Sequence, residues 1–203
     1  MDKLLTIIIP VYNQETLVIR ALESVPKRDD IEVIVIDDGS TDNTWNNLLK
    51  YRKDHASEID IILLYNEKNE GVGSAVNKGY DNASGDYVVL LGSDDFFTKD
   101  FEKGLKQLDG TDLIYFDLID NNDFIWKVNK KTKSVYVGSV KFMRREFIGD
   151  TRCPLIRVEE DLYFYNELMK KKPTEKYTKM ILKHYNFPRK NSLTWLKENG
   201  GKK

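Results

Sequence analysis

The chain opens with short apolar segments that alternate with longer amphipathic ones. The apolar runs are rich in β-branched residues and predict strands at residues 4–9, 32–36, 59–64 and 87–91. Between them, apolar residues recur with a helical period, as Leu17, Ala21 and Leu22 do, and predict helices at residues 15–25, 44–55 and 72–83. Nearly continuous apolar strands joined by helices of this length are typical of an α/β fold with a parallel sheet covered on both faces.

Beyond residue 91 the pattern becomes mixed. It predicts helices at 98–108, 160–171 and 192–199, strands at 112–118 and 176–186, and a hairpin at 124–137. A length of 203 residues fits one domain. We therefore expect a single domain over residues 1–203, with a first half at 1–95 and a second half at 96–203.

Composition excludes several classes of protein. Hydrophobic residues make up 40% of the chain, which is enough to bury a core and excludes a disordered chain. One cysteine and two histidines exclude a disulfide framework and a Cys/His zinc cluster, so any metal is expected to be held mainly by oxygen. The apolar runs are far shorter than the roughly 18 residues that span a membrane, and the N-terminal run reads as a strand, not a secretion signal. We expect a cytoplasmic protein.

Positive charge is concentrated near the C-terminus. Residues 170–203 hold 11 Lys and Arg against Glu175 and Glu198, whereas the whole chain has a formal net charge of −1. Such a run is compatible with a solvated surface, with a phosphate-rich acceptor, and with peripheral contact to an anionic membrane surface. Charge alone does not choose between these readings.

Polar or turn-forming residues follow each of the first four predicted strands. Taken singly, a stretch such as Asp37-Asp38-Gly39-Ser40 is also compatible with a turn and a helix cap. The carboxyl ends of parallel strands, however, meet at one edge of the sheet, where ligands bind in open α/β folds. The repetition at four strand ends therefore predicts a ligand site at that edge.

Two adjacent carboxylates, Asp94 and Asp95, follow the fourth strand. Neighbouring carboxylates repel one another unless a cation or hydrogen bonds compensate them. Mg²⁺ and Mn²⁺ suit such oxygen ligands and are commonly held by one or two carboxylates together with substrate phosphates. The pair therefore predicts a divalent cation and a diphosphate ligand.

Four ordered motifs follow the strands of the first half: TIIIPVYN at residues 6–13, VIDDGSTDNT at 35–44, NEGVG at 69–73 and SDD at 93–95. Together they resemble the motifs of family 2 glycosyltransferases of the GT-A fold, which has a Rossmann-like, mostly parallel sheet. The resemblance continues more thinly through VEEDLYF at 158–164 and YNFPRKNSLT at 185–194. It implies an inverting, metal-dependent enzyme that uses a nucleotide sugar, with a UDP-sugar as the expected donor.

The resemblance also implies the donor-binding residues. It places the nucleotide base on Pro10, Val11 and Tyr12, and a hydrogen bond to that base on Asp38. From the residues alone, the alternative for Tyr12 is an ordinary core aromatic, but its position at a strand end favours contact with a ligand. The remaining donor-binding positions that the resemblance implies are Asn13, Asn69, Gly71, Asn77, Ser93 and Asp94.

For the metal, the resemblance implies Asp95 as the direct ligand of Mn²⁺ or Mg²⁺ and Asp94 as a contact to the ribose, to the sugar or indirectly to the metal. His184 is a further candidate for the metal shell, because imidazole tolerates Mn²⁺. The alternative for His184 is a half-buried histidine in a strand.

On the acceptor side, the resemblance implies Asp161 as the general base. The alternative is a surface carboxylate at a helix start, where the helix dipole favours negative charge. Glu160, Arg189 and Trp195 are candidates for contact with the acceptor or the diphosphate. Trp126 and Tyr136 are, with Trp195, either part of an acceptor groove or core aromatics.

Two positions depart from the pattern of the family. Many relatives carry an aspartate at the position of Gly92 and an arginine at that of Val76. Losing the arginine removes a bidentate donor to a diphosphate, which Lys78 or Arg189 could replace. A catalytically silent binder of nucleotide sugars or carbohydrates is therefore the main alternative. A nucleotidyltransferase is disfavoured, because residues 10–20 lack a Gly-rich triphosphate loop. The sugar, the acceptor (saccharide, lipid-linked, protein or modified nucleic acid) and the oligomeric state stay open.

Overall fold

A computed structural model describes residues 2–133, 140–156 and 159–190. In the first half, strands and helices alternate as predicted: β1 (Leu5–Val11), α1 (Leu17–Glu23), β2 (Ile31–Asp37), α2 (Thr44–Asp54), β3 (Asp60–Tyr65), α3 (Val72–Asn82) and β4 (Tyr87–Leu90). The second half contains β5 (Phe96–Phe97), α4 (Phe101–Gly104) with a 3₁₀ turn at Leu105–Gln107, β6 (Leu113–Asp120), β7 (Ile125–Trp126), β8 (Lys141–Arg144), α5 (Arg145–Ile148), α6 (Glu160–Lys170) and β9 (Glu175–Tyr185).

The described strands form one mixed sheet in the order β3-β2-β1-β4-β8-β6-β9-β5, with β7 on the side of β6. The strands of the first half pair in parallel, with Val11 opposite Asp37 and Ile8 opposite Leu90. β8 is antiparallel to both β4 and β6, whereas β9 runs parallel to β6. The predicted α/β fold class is confirmed, and the division into two halves stays a prediction.

Burial explains why the first half is regular. Every residue of β2 is buried, as a parallel strand covered on both faces requires. The buried carboxylate of Glu32 in this strand accepts hydrogen bonds from the Thr6 hydroxyl and from the Ser84 and Gly85 backbone. A Cβ on Gly85 would lie 2.5 Å from the Thr6 backbone nitrogen. Only glycine therefore lets the chain enter β4 at this point.

The second half departs from several predicted bounds. In place of the helix predicted at 98–108, the structure has the shorter α4 and a 3₁₀ turn. Gly104, at the end of α4, packs against Leu182; an added Cβ at Gly104 would lie 2.4 Å from the Leu182 side chain. Strands β5 and β8 are too short to show a period and were not predicted. Of the predicted hairpin at 124–137, β7 pairs with β6, while residues 134–139 lie outside the described residues. The predicted helix at 192–199 also lies outside them.

Candidate functional site

The loops after β1 and β2 are tied together at the carboxyl edge of the sheet. The Asn13 backbone N–H donates to the Ser40 hydroxyl at 2.9 Å, and the Thr41 backbone N–H donates to Asn13 Oδ1 at 2.8 Å. Asn13 adopts a positive φ of 51°, which asparagine tolerates better than most residues. Beside it, Tyr12 is 43% exposed. The edge therefore presents an open aromatic side chain next to a fixed polar loop.

Asp38 organises the loop that follows β3. Its Oδ1 accepts hydrogen bonds from the Asn66 side-chain amide at 2.8 Å and from the Glu70 backbone at 3.0 Å, and its Oδ2 accepts from the Gly71 backbone at 2.8 Å. Asp38 is buried. The structure thus gives this carboxylate a structural task at the predicted nucleotide site, and Gly71 and the neighbouring Asn69 are held against it.

The preceding carboxylate, Asp37, is fully buried. Its Oδ1 accepts from the Ser40 backbone at 2.8 Å, whereas its Oδ2 has no hydrogen-bond partner among the described residues. Burial raises the pKa of Asp37. Asp37 therefore has one carboxylate oxygen, Oδ2, that accepts no hydrogen bond from the described residues.

The side chains of Asp94 and Asp95 lie in different environments. Asp95 is 4% exposed; its Oδ2 accepts a hydrogen bond from Lys183 Nζ at 2.8 Å, and its Oδ1 accepts from the Asn186 backbone at 2.9 Å. Asp94 is more open, and its Oδ2 pairs with the Arg189 guanidinium at 2.8 Å. Burial, followed by the charge of Asp95, raises the pKa of Asp94. Of the two carboxylates, Asp94 is the one that a ligand can approach.

This arrangement differs from the expected metal assignment. Asp95, expected to ligate the metal directly, accepts hydrogen bonds inside the protein on both carboxylate oxygens, one of them from the buried Lys183. Asp94 Oδ1 lies by Gly92, where an added Cβ would come within 3.2 Å of it. Gly92 therefore keeps the space next to this oxygen clear. Ser93 precedes the pair and is half-buried.

No group of three His, Cys, Asp or Glu side chains lies together within residues 2–133, 140–156 and 159–190. A nucleotide-bound Mg²⁺ or Mn²⁺ needs fewer protein ligands, commonly one or two carboxylates together with phosphates. Asp94 is the more exposed of the two carboxylates and meets that requirement with Oδ1, while direct ligation by Asp95 stays a prediction. The side chains present thus fit a cation shared with a diphosphate at Asp94.

His184 stacks on Phe96 with ring centroids 4.4 Å apart, and the Arg20 guanidinium lies 4.8 Å from the centroid of the same Phe96 ring. Arg20 also donates a hydrogen bond to the Asp94 backbone carbonyl. Burial, followed by the charge of Arg20, lowers the pKa of His184. The neutral imidazole therefore belongs to a packed stack that supports the Asp94 backbone, and its proposed metal contact stays a prediction.

Asp161 lies in a pocket of about 180 Å³ that reaches the ends of β1 and β4. The pocket is lined by Pro10, Leu91 and Gly92 from those strand ends, by Val72 and Val76 from α3, by Lys141 and Met143 from β8, by Cys153, and by Glu160, Asp161 and Phe164 from α6. Asp161 Oδ1 accepts a hydrogen bond from the Leu162 backbone at 2.8 Å. The structure therefore brings the predicted base to the edge where the nucleotide motifs end.

Of the two residues expected to replace the missing arginine, Lys78 is held elsewhere and Arg189 lies at Asp94. Lys78 Nζ donates to the Tyr65 carbonyl at 2.8 Å and to Asn66 Oδ1 at 2.9 Å, away from the pocket. Asn77 exchanges two hydrogen bonds of 2.8 Å with the Cys153 backbone and so pins the loop before α6. Arg189, paired with Asp94, is placed to serve a diphosphate. The donor contact expected of Asn77 stays a prediction.

Of the three aromatic residues considered for an acceptor groove, one lies among the described residues and two do not. Trp126 packs edge-on against Tyr185 and Phe187, with ring centroids about 6 Å apart, and donates a hydrogen bond to Asp120 Oδ2 at 2.9 Å. Tyr136 and Trp195 lie outside the described residues. Trp126 therefore belongs to an aromatic cluster at the carboxyl end of β6.

Sequence reasoning missed two lysines that matter most to the electrostatics of the site. Lys183 and Lys141 are 2% and 3% exposed and lie beside Asp95 and in the pocket of Asp161, respectively. Each interrupts an otherwise apolar strand segment, MILKHY at 180–185 and VKFM at 140–143. A single lysine inside an apolar run was the available signal, because lysine is rarely fully buried unless it is paired.

A mixed sheet that is parallel in its first half, with polar loops at the carboxyl edge of those strands and a carboxylate pair beside an apolar pocket, defines a nucleotide-binding α/β transferase fold of the GT-A type. The chain belongs to Glycosyl transferase family 2, which matches residues 6–178. It is 32% identical over 188 residues to the glycosyltransferase TuaG of Bacillus subtilis, covering 83% of this chain and 73% of that protein. It is 37% identical over 142 residues to a glycosyltransferase of Rickettsia felis, covering 68% of this chain and 22% of that protein.

Solved structures show the same fold at low identity. TarS of S. aureus in complex with UDP-GlcNAc superposes with a TM-score of 0.78 at 20% identity, covering 93% of this chain and 60% of that one. The mannosyltransferase PcManGT of Pyrobaculum calidifontis, in complex with GDP-Man and Mn²⁺, gives a TM-score of 0.73 at 18% identity, covering 94% and 59%. Several curated relatives are much longer, and this chain matches about a fifth of their length.

Among the described residues, no helix combines the length and apolarity needed to cross a bilayer.

Proposed function

We propose that this chain transfers a sugar from a nucleotide sugar, with a UDP-sugar as donor, to an acceptor hydroxyl, with inversion at the anomeric carbon. The observation that carries the proposal is the shared pocket: Asp161 lines the same cavity as Pro10, near the end of β1, and Gly92, which follows β4. A base is thereby brought next to the place where the motifs of the family position the donor.

The nucleotide is assigned to the edge formed by Tyr12 and the loop that Asp38 organises. A half-exposed aromatic side chain offers a stacking surface, and stacking on a base contributes about 1–3 kcal/mol. The buried loop contacts of Asp38 hold the backbone at 70–71 in place before a ligand arrives. That TarS binds UDP-GlcNAc and PcManGT binds GDP-Man supports a nucleotide sugar and leaves the choice of base to experiment.

Asp94 is the side chain to which we assign a divalent cation shared with the diphosphate. When bound, the cation neutralises negative charge that grows on the leaving diphosphate. Arg189, already paired with Asp94 at 2.8 Å, adds a second positive group at the same place. Asp95 and Lys183 form the support beneath them.

In the proposed step, Asp161 accepts the proton of the acceptor hydroxyl while that oxygen forms a bond to the anomeric carbon. The bond from this carbon to the diphosphate oxygen breaks on the opposite side, and its electron pair leaves with the nucleoside diphosphate. The products are the glycosylated acceptor with inverted configuration, the nucleoside diphosphate and a proton on Asp161. Positioned base catalysis of this kind supplies about 10²–10⁴-fold.

The acceptor is not assigned beyond a hydroxyl group; a saccharide, a lipid-linked sugar, a protein or a modified nucleic acid are all candidates. The basic segment at 170–203 is compatible with an anionic acceptor or surface and equally with a solvated surface. The cytoplasmic location stays a prediction.

The donor class is tested by calorimetric titration of the full chain with UDP, GDP, CMP and dTDP, each with Mn²⁺ and with EDTA. Metal-dependent binding of UDP and weaker binding of the others is expected. Preference for another nucleotide would replace the UDP assignment, and binding of none would contradict the proposed function.

The base is tested by Asp161→Asn, with release of UDP from a panel of UDP-sugars as the assay. We expect turnover to fall about 10²–10⁴-fold while UDP affinity is unchanged. Glu167→Gln is the matched control, since it removes the same charge from an exposed position of α6 that pairs only with Lys170. Equal loss of turnover and UDP binding in Asp161→Asn would contradict the role of a base, and UDP binding without turnover in the unmodified chain would indicate a silent binder.

A further inference from the structure

A lysine of β8 lines the same pocket as Asp161. Lys141 is the first residue of β8, where it pairs with Tyr115 of β6. Side chains alternate along this strand: Phe142 packs on Phe116, whereas Lys141 and Met143 line the pocket. Lys141 is 3% exposed. Its placement in the pocket is therefore a consequence of strand register and not of a flexible surface side chain.

The rest of the pocket wall is mainly apolar, which makes a positive charge there costly unless it is balanced. The groups that face Lys141 come from four elements. Asp161 and Glu160 at the start of α6 supply negative charge, and the Tyr165 ring of the same helix has its centroid 5.5 Å from the ammonium. Cys153 precedes α6, Tyr80 lies on α3, and Lys183 of β9 repels it.

We propose that Lys141 is a positioning residue that supplies the counter-charge for Asp161 inside the catalytic pocket. The inference rests on the proposed function of Asp161. The ammonium balances the carboxylate that must stay available to an acceptor hydroxyl, and it does so from β8, whereas Asp161 lies on α6.

Ionisation of Lys141 follows the same geometry. Burial lowers the pKa of Lys141 to about 8, and the negative charge of Asp161 offsets part of that lowering. Lys141 is therefore protonated and charged at neutral pH. It loses its proton, and with it the charge, at mildly alkaline pH, where ordinary lysines stay charged. A lysine that balances Asp161 must then lose that function as the pH rises through about 8.

The pairing is tested without any substrate. Correlation spectra of the lysine Cε and Nζ nuclei in the labelled full chain are recorded against pH, and Lys141→Met identifies the Lys141 signal. We expect this signal to titrate near pH 8 and to titrate at lower pH in Asp161→Asn. Lys78→Met is the matched control, because it removes a lysine tied to Tyr65 and Asn66 outside the pocket and is expected to leave the Lys141 titration in place.

The positioning role is tested by the pH profile of UDP release from the same UDP-sugars. Lys141→Met is expected to lower kcat at least tenfold with little change in donor KM and to abolish the alkaline fall near pH 8, whereas Lys141→Arg restores most of kcat. Thermal unfolding of each variant separates misfolding from loss of function.

A Lys141 titration that does not move in Asp161→Asn overturns the proposal, whether or not the chain turns over a donor. An unchanged kcat profile in Lys141→Met overturns it as well. Absence of turnover in the unmodified chain contradicts the proposed function instead, and the spectroscopic titration then still decides whether the two charges are coupled.

Discussion

Lys183 Nζ donates a 2.8 Å hydrogen bond to Asp95 Oδ2, and the two side chains are 2% and 5% exposed. They are 88 residues apart in the chain and meet because β9 pairs with β5 directly after the carboxylate. A buried ion pair of this kind contributes little net free energy, since desolvation offsets the attraction, but removing the Asp95 carboxylate takes a counter-ion from the buried Lys183. The pair therefore fixes Asp95 as a support beneath Asp94.

The first prediction concerns this pair. Asp95→Asn is expected to lower the free energy of unfolding by about 3–5 kcal/mol, because Lys183 stays buried without its counter-ion. The double variant Asp95→Asn with Lys183→Met is expected to recover much of the loss, as measured by urea unfolding. Additive effects of the two substitutions would show that the side chains are not coupled.

The second prediction separates the two carboxylates. Asp94→Asn is expected to change the free energy of unfolding by less than about 1 kcal/mol, because Asp94 is partly open and, among the described residues, its carboxylate forms an ion pair with Arg189 alone. It is expected to remove most of the Mn²⁺-dependent gain in UDP affinity, measured by calorimetry with Mn²⁺ and with EDTA. Retention of the full gain would place the cation elsewhere.

The third prediction concerns Asp38. Asp38→Ala leaves the Asn66 amide and the Glu70 and Gly71 backbone N–H groups without their acceptor, at a cost of about 2–4 kcal/mol in unfolding free energy. UDP affinity is expected to fall at least about tenfold, because the loop is no longer held before the ligand arrives. The exposed Asp150→Ala is the control, and equal effects of the two substitutions would argue against a specific role of Asp38.

The fourth prediction is a pH dependence. Burial lowers the pKa of Lys141 from 10.5, its value in the unfolded chain, to about 8 in the folded chain. At pH values between these two, Lys141 is protonated in the unfolded chain and neutral in the folded chain. The free energy of unfolding gains a contribution from Lys141 that rises with pH across this window. Lys141→Met is therefore expected to be the more stable form at pH 7, by at most about 3 kcal/mol, with the advantage shrinking towards pH 10. A pH-independent difference in urea unfolding would contradict this.

The fifth prediction uses the single cysteine. Burial raises the pKa of the Cys153 thiol to about 12, and the side chain is buried against the pocket. Reaction with a disulfide reagent at pH 8 is expected to be at least about 100-fold slower in the folded chain than in urea, because the thiolate is the reactive form. Equal rates would show that the pocket opens readily.

Much of the first half could be predicted because its signals are local. The residues of β1, β2 and α3 carry their periods within a few neighbouring positions, and parallel pairing then puts the strand ends on one edge. The order of Asp38, Gly71 and Asp94 along the chain was therefore enough to predict a nucleotide site there.

The sequence by itself thus determined the α/β alternation, the ligand-binding edge and the candidate base Asp161. Only the tertiary structure decided which carboxylate faces a ligand and where the counter-charges lie. The reason is physical: Lys183 and Lys141 reach Asp95 and Asp161 through pairing of β9 and β8 with distant strands. Register between distant strands is set by packing of the whole sheet, with bulges between β6 and β9, and no local pattern of residues encodes it.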